Sequence, residues 1–174
     1  SVEQAEAAAE AGSKHGICQI ANDNATGQIV LSGEKDAVQA AVDACSDLGI
    51  KKAMMLNVSA PFHCDMMMPA AAKMREALAH QTILEPSVPV VNNVTARPVT
   101  EPDQIREDLI TQVTGRVRWR ESIEWMAANG VETFAEPGTG KVLTVMLKRI
   151  VSGVEGIALN SPDSLEAFAK KIKG

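Results

Sequence analysis

Aromatic side chains are scarce here: 3% of the 174 residues, with three Phe, two Trp and no Tyr. A core must therefore be assembled from Ala, Val, Ile, Leu and the eight Met, which bury less area per residue than rings do. Positive charge is also short. Lys and Arg number 17 against 22 Asp and Glu, a formal net charge of −5, and a nucleic-acid surface wants the opposite balance. No apolar run approaches the roughly 20 residues of a membrane-spanning helix. The opening Ser1-Val2-Glu3-Gln4 has neither the basic front nor the apolar stretch of a secretory signal. The cysteines are only Cys18, Cys45 and Cys64, odd in number, with no C-x-x-C pair and no His at ligand spacing. They read as reduced thiols of a cytoplasmic protein, with no zinc site expected.

What is present has the length of one domain, or one and a fraction. Residues 1–12 are Ala-rich, with Ser1 and Gln4 spaced like a capping box and Gly12 placed to stop a helix. Residues 17–21 and 28–33 read as strands around the turn-rich Asn22-Asp23-Asn24-Ala25-Thr26-Gly27, which makes a hairpin. Residues 35–48 form an amphipathic helix with Ala37, Val38, Ala41, Val42 and Cys45 on one stripe, closed by Gly49. Residues 52–58 read as a third strand. The order αββαβ is a ferredoxin-like βαββαβ unit without its first strand. A three-stranded remnant leaves an open edge and an uncovered core, so the expectation is that this chain is a fragment.

The second part alternates strand and helix: helix 69–80, strand 88–94, helices 102–112 and 117–129, strand 131–135, helix 141–150, strand 156–159 and helix 161–172 capped by Ser161. Such alternation belongs to a parallel three-layer α/β sheet. The strands are too few to stand alone, which repeats the fragment argument.

Between the two parts lies Val58-Ser59-Ala60-Pro61-Phe62-His63-Cys64-Asp65. An apolar run breaks at Pro61, presents one histidine, and enters a helix near Pro69. A histidine fixed at such a break, facing a cleft, suits a general base. The plainer reading is a histidine that caps the helix or hydrogen-bonds locally. Cys64 beside it offers a Cys-His nucleophilic pair only if two neighbouring side chains converge, and at a strand end they diverge. Gly138-Thr139-Gly140-Lys141 invites a phosphate-loop reading, but the G-x-x-x-x-G-K-[ST] spacing fails and a tight strand-to-helix turn fits better. No G-x-S-x-G nucleophile elbow occurs.

The 58–67 stretch resembles the histidine motif of malonyl-CoA:acyl carrier protein transacylases. So do Val88-Pro89-Val90-Val91-Asn92-Asn93-Val94, Glu136-Pro137-Gly138-Thr139-Gly140-Lys141-Val142-Leu143 and the hairpin from Asn22 to Val30, in the family's order and at about its spacing. The resemblance implies a large α/β-hydrolase-like domain with an inserted ferredoxin-like subdomain: residues 1–58 the incomplete subdomain, 59–174 the C-terminal part of the large domain. It implies that His63 is the catalytic base, oriented by the backbone carbonyl of Gln112, acting on a serine that this chain lacks. Phe62 then belongs to malonyl selection, and Asn22 and Asn24 to positions facing the active-site gorge, although a turn role suits either asparagine. The implied partners are malonyl-CoA, acyl carrier protein and the other half of the enzyme. Lys51, Lys52, Lys148 and Arg149 are candidates for docking the acidic carrier. Read plainly, the last two suit a helix C-terminus and the first two solvate a turn. A non-catalytic carrier-binding or regulatory module of the same fold is the alternative function.

Overall fold

The computed structural model describes residues 1–173, and the chain divides into two compact units, Ser1–Ser122 and Ile123–Gly174. The first begins with helix α1 (Val2–Ser13), whose N-terminus carries the full capping box: the Ser1 hydroxyl accepts from the Gln4 amide while the Gln4 side chain accepts from the Ser1 amine. Strands β1 (Cys18–Ala25) and β2 (Gln28–Gly33) follow as an antiparallel hairpin with a two-residue Thr26-Gly27 turn, and α2 (Lys35–Ala44) returns across them. The scarcity of rings shows directly in this core. Ala8, Ala9, Cys18, Ala37, Ala41 and Cys45 are buried together, flanked by Leu31, Val38, Leu48 and Ile50. Small side chains compensate by letting α1 and α2 approach closely.

Gly12 belongs to that approach and does not stop α1, which runs on to Ser13. A Cβ there would lie 2.5 Å from the Ala37 carbonyl oxygen and 2.9 Å from the Cys18 sulfur.

A register irregularity in β1 between Ile20 and Asn22 changes which residues turn inward. Past it, Ala21, Asp23 and Ala25 are buried, and Asn22 and Asn24 share the opposite, half-buried face. The two asparagines therefore sit in a strand. They are not turn residues; the tight hairpin starts only after Ala25.

The third strand expected over residues 52–58 is absent. The segment has no ladder hydrogen bonds to any described residue, its Val58 amide turns back to the Leu56 carbonyl at 3.1 Å, and Met54, Met55, Leu56 and Val58 are 63, 42, 54 and 63% exposed. An apolar run becomes a strand only where a neighbouring strand completes its backbone bonds. The strand expected over 88–94 shrinks to β3 (Val90–Val91), paired antiparallel with β4 (Pro98–Val99). Asn92 ends it, because its side-chain oxygen accepts from the amides of Val94 and Thr95 and diverts the chain into a turn.

After the histidine loop come a single 3₁₀ turn (Asp65–Met67), α3 (Met68–Ala79) with Pro69 in its first turn, and α4 (Pro102–Thr111). The helix expected from Val117 starts two residues later as α5 (Trp119–Ala128). Val117 itself is extended, exchanging backbone bonds with Ala21 and Asp23 of β1 at 2.7 and 2.8 Å. That bridge delivers Arg116 and Arg120 to Asp23, which is fully buried. Arg116 donates to its carboxylate at 3.0 Å and Arg120 at 2.7–3.1 Å.

The second unit pairs β5 (Thr133–Pro137) with β6 (Glu155–Leu159) in parallel, joined through α6 (Val142–Leu147) and followed by α7 (Pro162–Lys173). The Ser161 hydroxyl accepts from the Ser164 amide, as its cap position requires. Among the described residues no helix is long and apolar enough to cross a membrane.

Candidate active site around His63

The sequence breaks at Pro61, and the backbone turns sharply there: the Phe62 amide bonds to the Ala60 carbonyl at 3.0 Å, and His63 takes φ = 59°. A left-handed conformation is uncommon for a residue with a side chain, and histidine is among the few types enriched in it. It costs free energy, so surrounding contacts must hold it. Each of residues 63–65 is tied to a different element. The His63 Nδ1 lies 2.8 Å from the Gln112 carbonyl oxygen at the C-terminal end of α4. The Cys64 sulfur, fully buried, is 3.7 Å from the Ser32 hydroxyl on β2 and 3.2 Å from the Pro61 carbonyl. Asp65 makes a reciprocal pair with Gln19 on β1: its amide donates to the Gln19 side-chain oxygen at 2.7 Å, and its carboxylate accepts from the Gln19 side-chain nitrogen at 2.8 Å. These three anchors make the loop a fixed platform.

The chemistry of His63 follows from its partner. A carbonyl oxygen only accepts, so Nδ1 carries the proton in the neutral ring, and Nε2 is the free lone pair. No described residue hydrogen-bonds to Nε2. The ring is half-buried, with Nε2 as the nitrogen available to take a proton. Gln112 is the C-cap of α4, where helix carbonyls lack intrahelical partners and carry the negative end of the helix dipole. That oxygen also suits a ring that briefly holds two protons. Cys64 and His63 each have other partners, so the structure gives no Cys-His pair.

Phe62, 50% exposed, stands immediately before the ring. Asn22 and Asn24 lie on one face of β1, in the same unit as His63. Lys51 and Lys52 are exposed and precede the apolar 54–58 run; with no strand there, they start none. Lys148 caps the C-terminus of α6 and Arg149 follows it, both in the second unit. The Gly138–Lys141 loop is organised by Glu136, whose carboxylate accepts from the Leu143 and Thr144 amides and the Thr144 hydroxyl. The hydroxyl holds this carboxyl below the usual carboxylate range. The loop is a strand-to-helix turn. Among the described residues, no group of three or more His, Cys, Asp or Glu is placed to hold a metal ion.

Sequence reasoning missed the Asp23–Arg116–Arg120 cluster. Its one signal was the alternation Arg116-Val117-Arg118-Trp119-Arg120, a strand-like period read as helix. The Gln19–Asp65 pair had none.

Relatives share this arrangement of chain. A malonyl CoA-acyl carrier protein transacylase of Escherichia coli (strain K12) is 47% identical over 146 residues, 84% of this chain and 47% of its own. The Bacillus subtilis (strain 168) protein of the same name is 41% identical over 157 residues, 90% of this chain and 50% of its own. The chain is homologous to the malonyl CoA-acyl carrier protein transacylases. It spans about half the length of the curated transacylases it matches. No family model matches it. The crystal structure of an acyl-carrier-protein-S-malonyltransferase from Bartonella henselae superposes with a TM-score of 0.95 at 44% identity, over 100% of this chain and 55% of that one. A malonyl-transacylase in complex with its type II polyketide synthase acyl-carrier protein gives 0.91 at 38% identity, over 97% and 55%. The mixed α/β architecture is that of the transacylases.

Proposed function

We propose that this chain supplies the general-base half of a malonyl-CoA:acyl carrier protein transacylase. The carrying observation is the 2.8 Å contact of His63 Nδ1 with the Gln112 carbonyl oxygen, which leaves Nε2 as the basic nitrogen. In this reading, Nε2 takes the proton of a serine hydroxyl as its oxygen attacks the malonyl thioester, and returns it to the departing CoA thiolate. The ring then takes the proton of the phosphopantetheine thiol as that sulfur attacks the malonyl-serine ester, and gives it back to the serine oxygen. The Gln112 carbonyl does what a carboxylate does in hydrolase triads, so a Ser-His dyad suffices. No metal and no redox cofactor enters these steps, and the setting is cytoplasmic.

The serine belongs to polypeptide matching the part of the relatives that this chain does not span, so the chain alone is inactive. Residues 1–58 are the incomplete ferredoxin-like subdomain, and 59–174 the C-terminal part of the α/β-hydrolase-like domain. Support comes from the 54–58 run, where consecutive apolar residues are bare on both faces. A strand that pairs and packs against polypeptide outside this chain carries that pattern. Incubation with radiolabelled malonyl-CoA followed by denaturing electrophoresis tests this: the chain alone should retain no label, and a stable malonyl ester on it would place the nucleophile here and overturn the reading.

Phe62 fills the space an α-methyl on the malonyl unit needs, with Asn22 and Asn24 lining the gorge. Phe62→Ser should raise methylmalonyl transfer relative to malonyl, by the ~1–3 kcal/mol that one methyl is worth. An unchanged ratio of the two kcat/KM values would place the selectivity elsewhere. Lys51, Lys52, Lys148 and Arg149 dock the acidic carrier protein. Charge reversal at Lys52 or Arg149 should raise KM for the carrier and leave KM for malonyl-CoA nearly unchanged, with a weaker salt dependence. Equal effects on both substrates would reject docking.

A further inference from the structure

The Gln112 carbonyl has to hold its place at a helix end, where chains fray and the last turn readily changes form. Two consecutive asparagines grip that turn. Asn92 donates from Nδ2 to the Asp108 carboxylate at 2.8 Å, and Asn93 donates from Nδ2 to the Gln112 side-chain oxygen at 3.1 Å. Positions 108 and 112 are four apart, so the pair spans one turn along one face of α4. The Asp108 carbonyl in turn accepts the Gln112 amide at 2.9 Å. The asparagines are themselves held. Asn92 closes a turn through its side-chain oxygen, and the Asn93 carbonyl accepts the Arg118 amide at 2.8 Å. Asp108 is buried and takes a second amide from Gln104 at 2.8 Å, which fixes the other end of the grip.

We propose that Asn92 and Asn93 are positioning residues that hold the α4 C-terminal carbonyl on His63 and thereby select the ring tautomer with the proton on Nδ1. Neither reaches the ring; both act through Gln112. The inference deepens the general-base reading and rests on it for its functional meaning, while its readout needs no catalysis. With the carbonyl released, the neutral ring has no reason to keep its proton on Nδ1, and the fraction with a free Nε2 falls.

The test is ¹⁵N NMR of the His63 imidazole in the 174-residue protein, above the ring's titration, where the two nitrogen shifts report the tautomer. Asn93→Leu keeps similar bulk and removes the donor. It should cut the Nδ1-protonated fraction by at least about half. Asn93→Asp should restore that fraction, because the Gln112 amide can turn and donate to the new carboxylate. A purely structural role for Asn93 would lower stability in both variants and leave the tautomer alone. Should Asn93→Leu fail to fold, Gln112→Ala removes the gripped side-chain oxygen, keeps the backbone carbonyl, and carries the same expectation. Retention of the wild-type tautomer in folded Asn93→Leu or Gln112→Ala overturns the proposal. A tautomer shift with rescue by Asp supports it, whatever a transfer assay shows; failure of transfer in the wild-type assembly would count against the function reading alone.

Discussion

Replacing His63 by Ala, in an assembly competent for transfer, should lower the malonyl-transfer rate by about 10²–10⁴-fold, the usual worth of a positioned general base. Affinity for CoA should be nearly unchanged, since the imidazole acts on a hydroxyl and a thiol and the nucleotide is held elsewhere. The fall should appear in kcat and kcat/KM together, the sign of an interaction made in the transition state. Removing the side chain at φ = 59° is not expected to unfold the loop, because Cys64 and Asp65 keep their own anchors on β2 and β1. A variant that retains more than half the wild-type rate at neutral pH would reject His63 as the base.

The largest effect on stability should come from Asp23. Its carboxylate is 1% exposed and accepts from two guanidiniums. Asp23→Ala leaves Arg116 and Arg120 facing one another without the charge that joins them, while Arg116 keeps its longer contacts to Glu121 at 3.7 Å and Glu6 at 3.9 Å. Breaking a buried pair in this way costs about 3–5 kcal/mol. The two arginine side chains are 26 and 21% exposed and keep some hydration, so the expected loss is near the lower end, about 3 kcal/mol. In a protein of this length that corresponds to a drop of roughly 6–12 °C in Tm. Urea unfolding should show a lower midpoint at an unchanged slope. A loss under about 1 kcal/mol would put the cluster in the class of exposed ion pairs. The consequence reaches the site, because Asp23 lies between Asn22 and Asn24 and sets the face they share.

What could be read from the residues divides along physical lines. Elements specified by local signals were legible: the Ser1–Gln4 capping box, the α2 stripe around Ala37 and Ala41, the Ser161 cap and the turn before α6 all follow from interactions within a few positions. The break at Pro61 was legible for the same reason. Strands were less so, because ladder partners are far away in sequence. The 52–58 run has the composition of a buried strand, yet no described residue pairs with it. At Asn92 a single side chain redirects a run that hydrophobicity alone would extend to Val94. Hydrogen bonds across long separations were not legible from spacing. Gln19 reaches Asp65 over 46 positions and Arg120 reaches Asp23 over 97. The Gln112 carbonyl, 49 positions from His63, entered only through the family resemblance. The left-handed backbone of His63 had only a weak local cue, the break at Pro61 and the tolerance of histidine for that conformation.

The most direct measurement is transfer of radiolabelled malonyl from malonyl-CoA to holo acyl carrier protein. It compares this chain alone with the chain co-expressed with the serine-bearing half of a homologous transacylase. The expected result is no transfer by the chain alone, transfer by the combined halves, and its loss when the chain carries His63→Ala. Transfer by the chain alone, or undiminished transfer with His63→Ala in the combined halves, would contradict it.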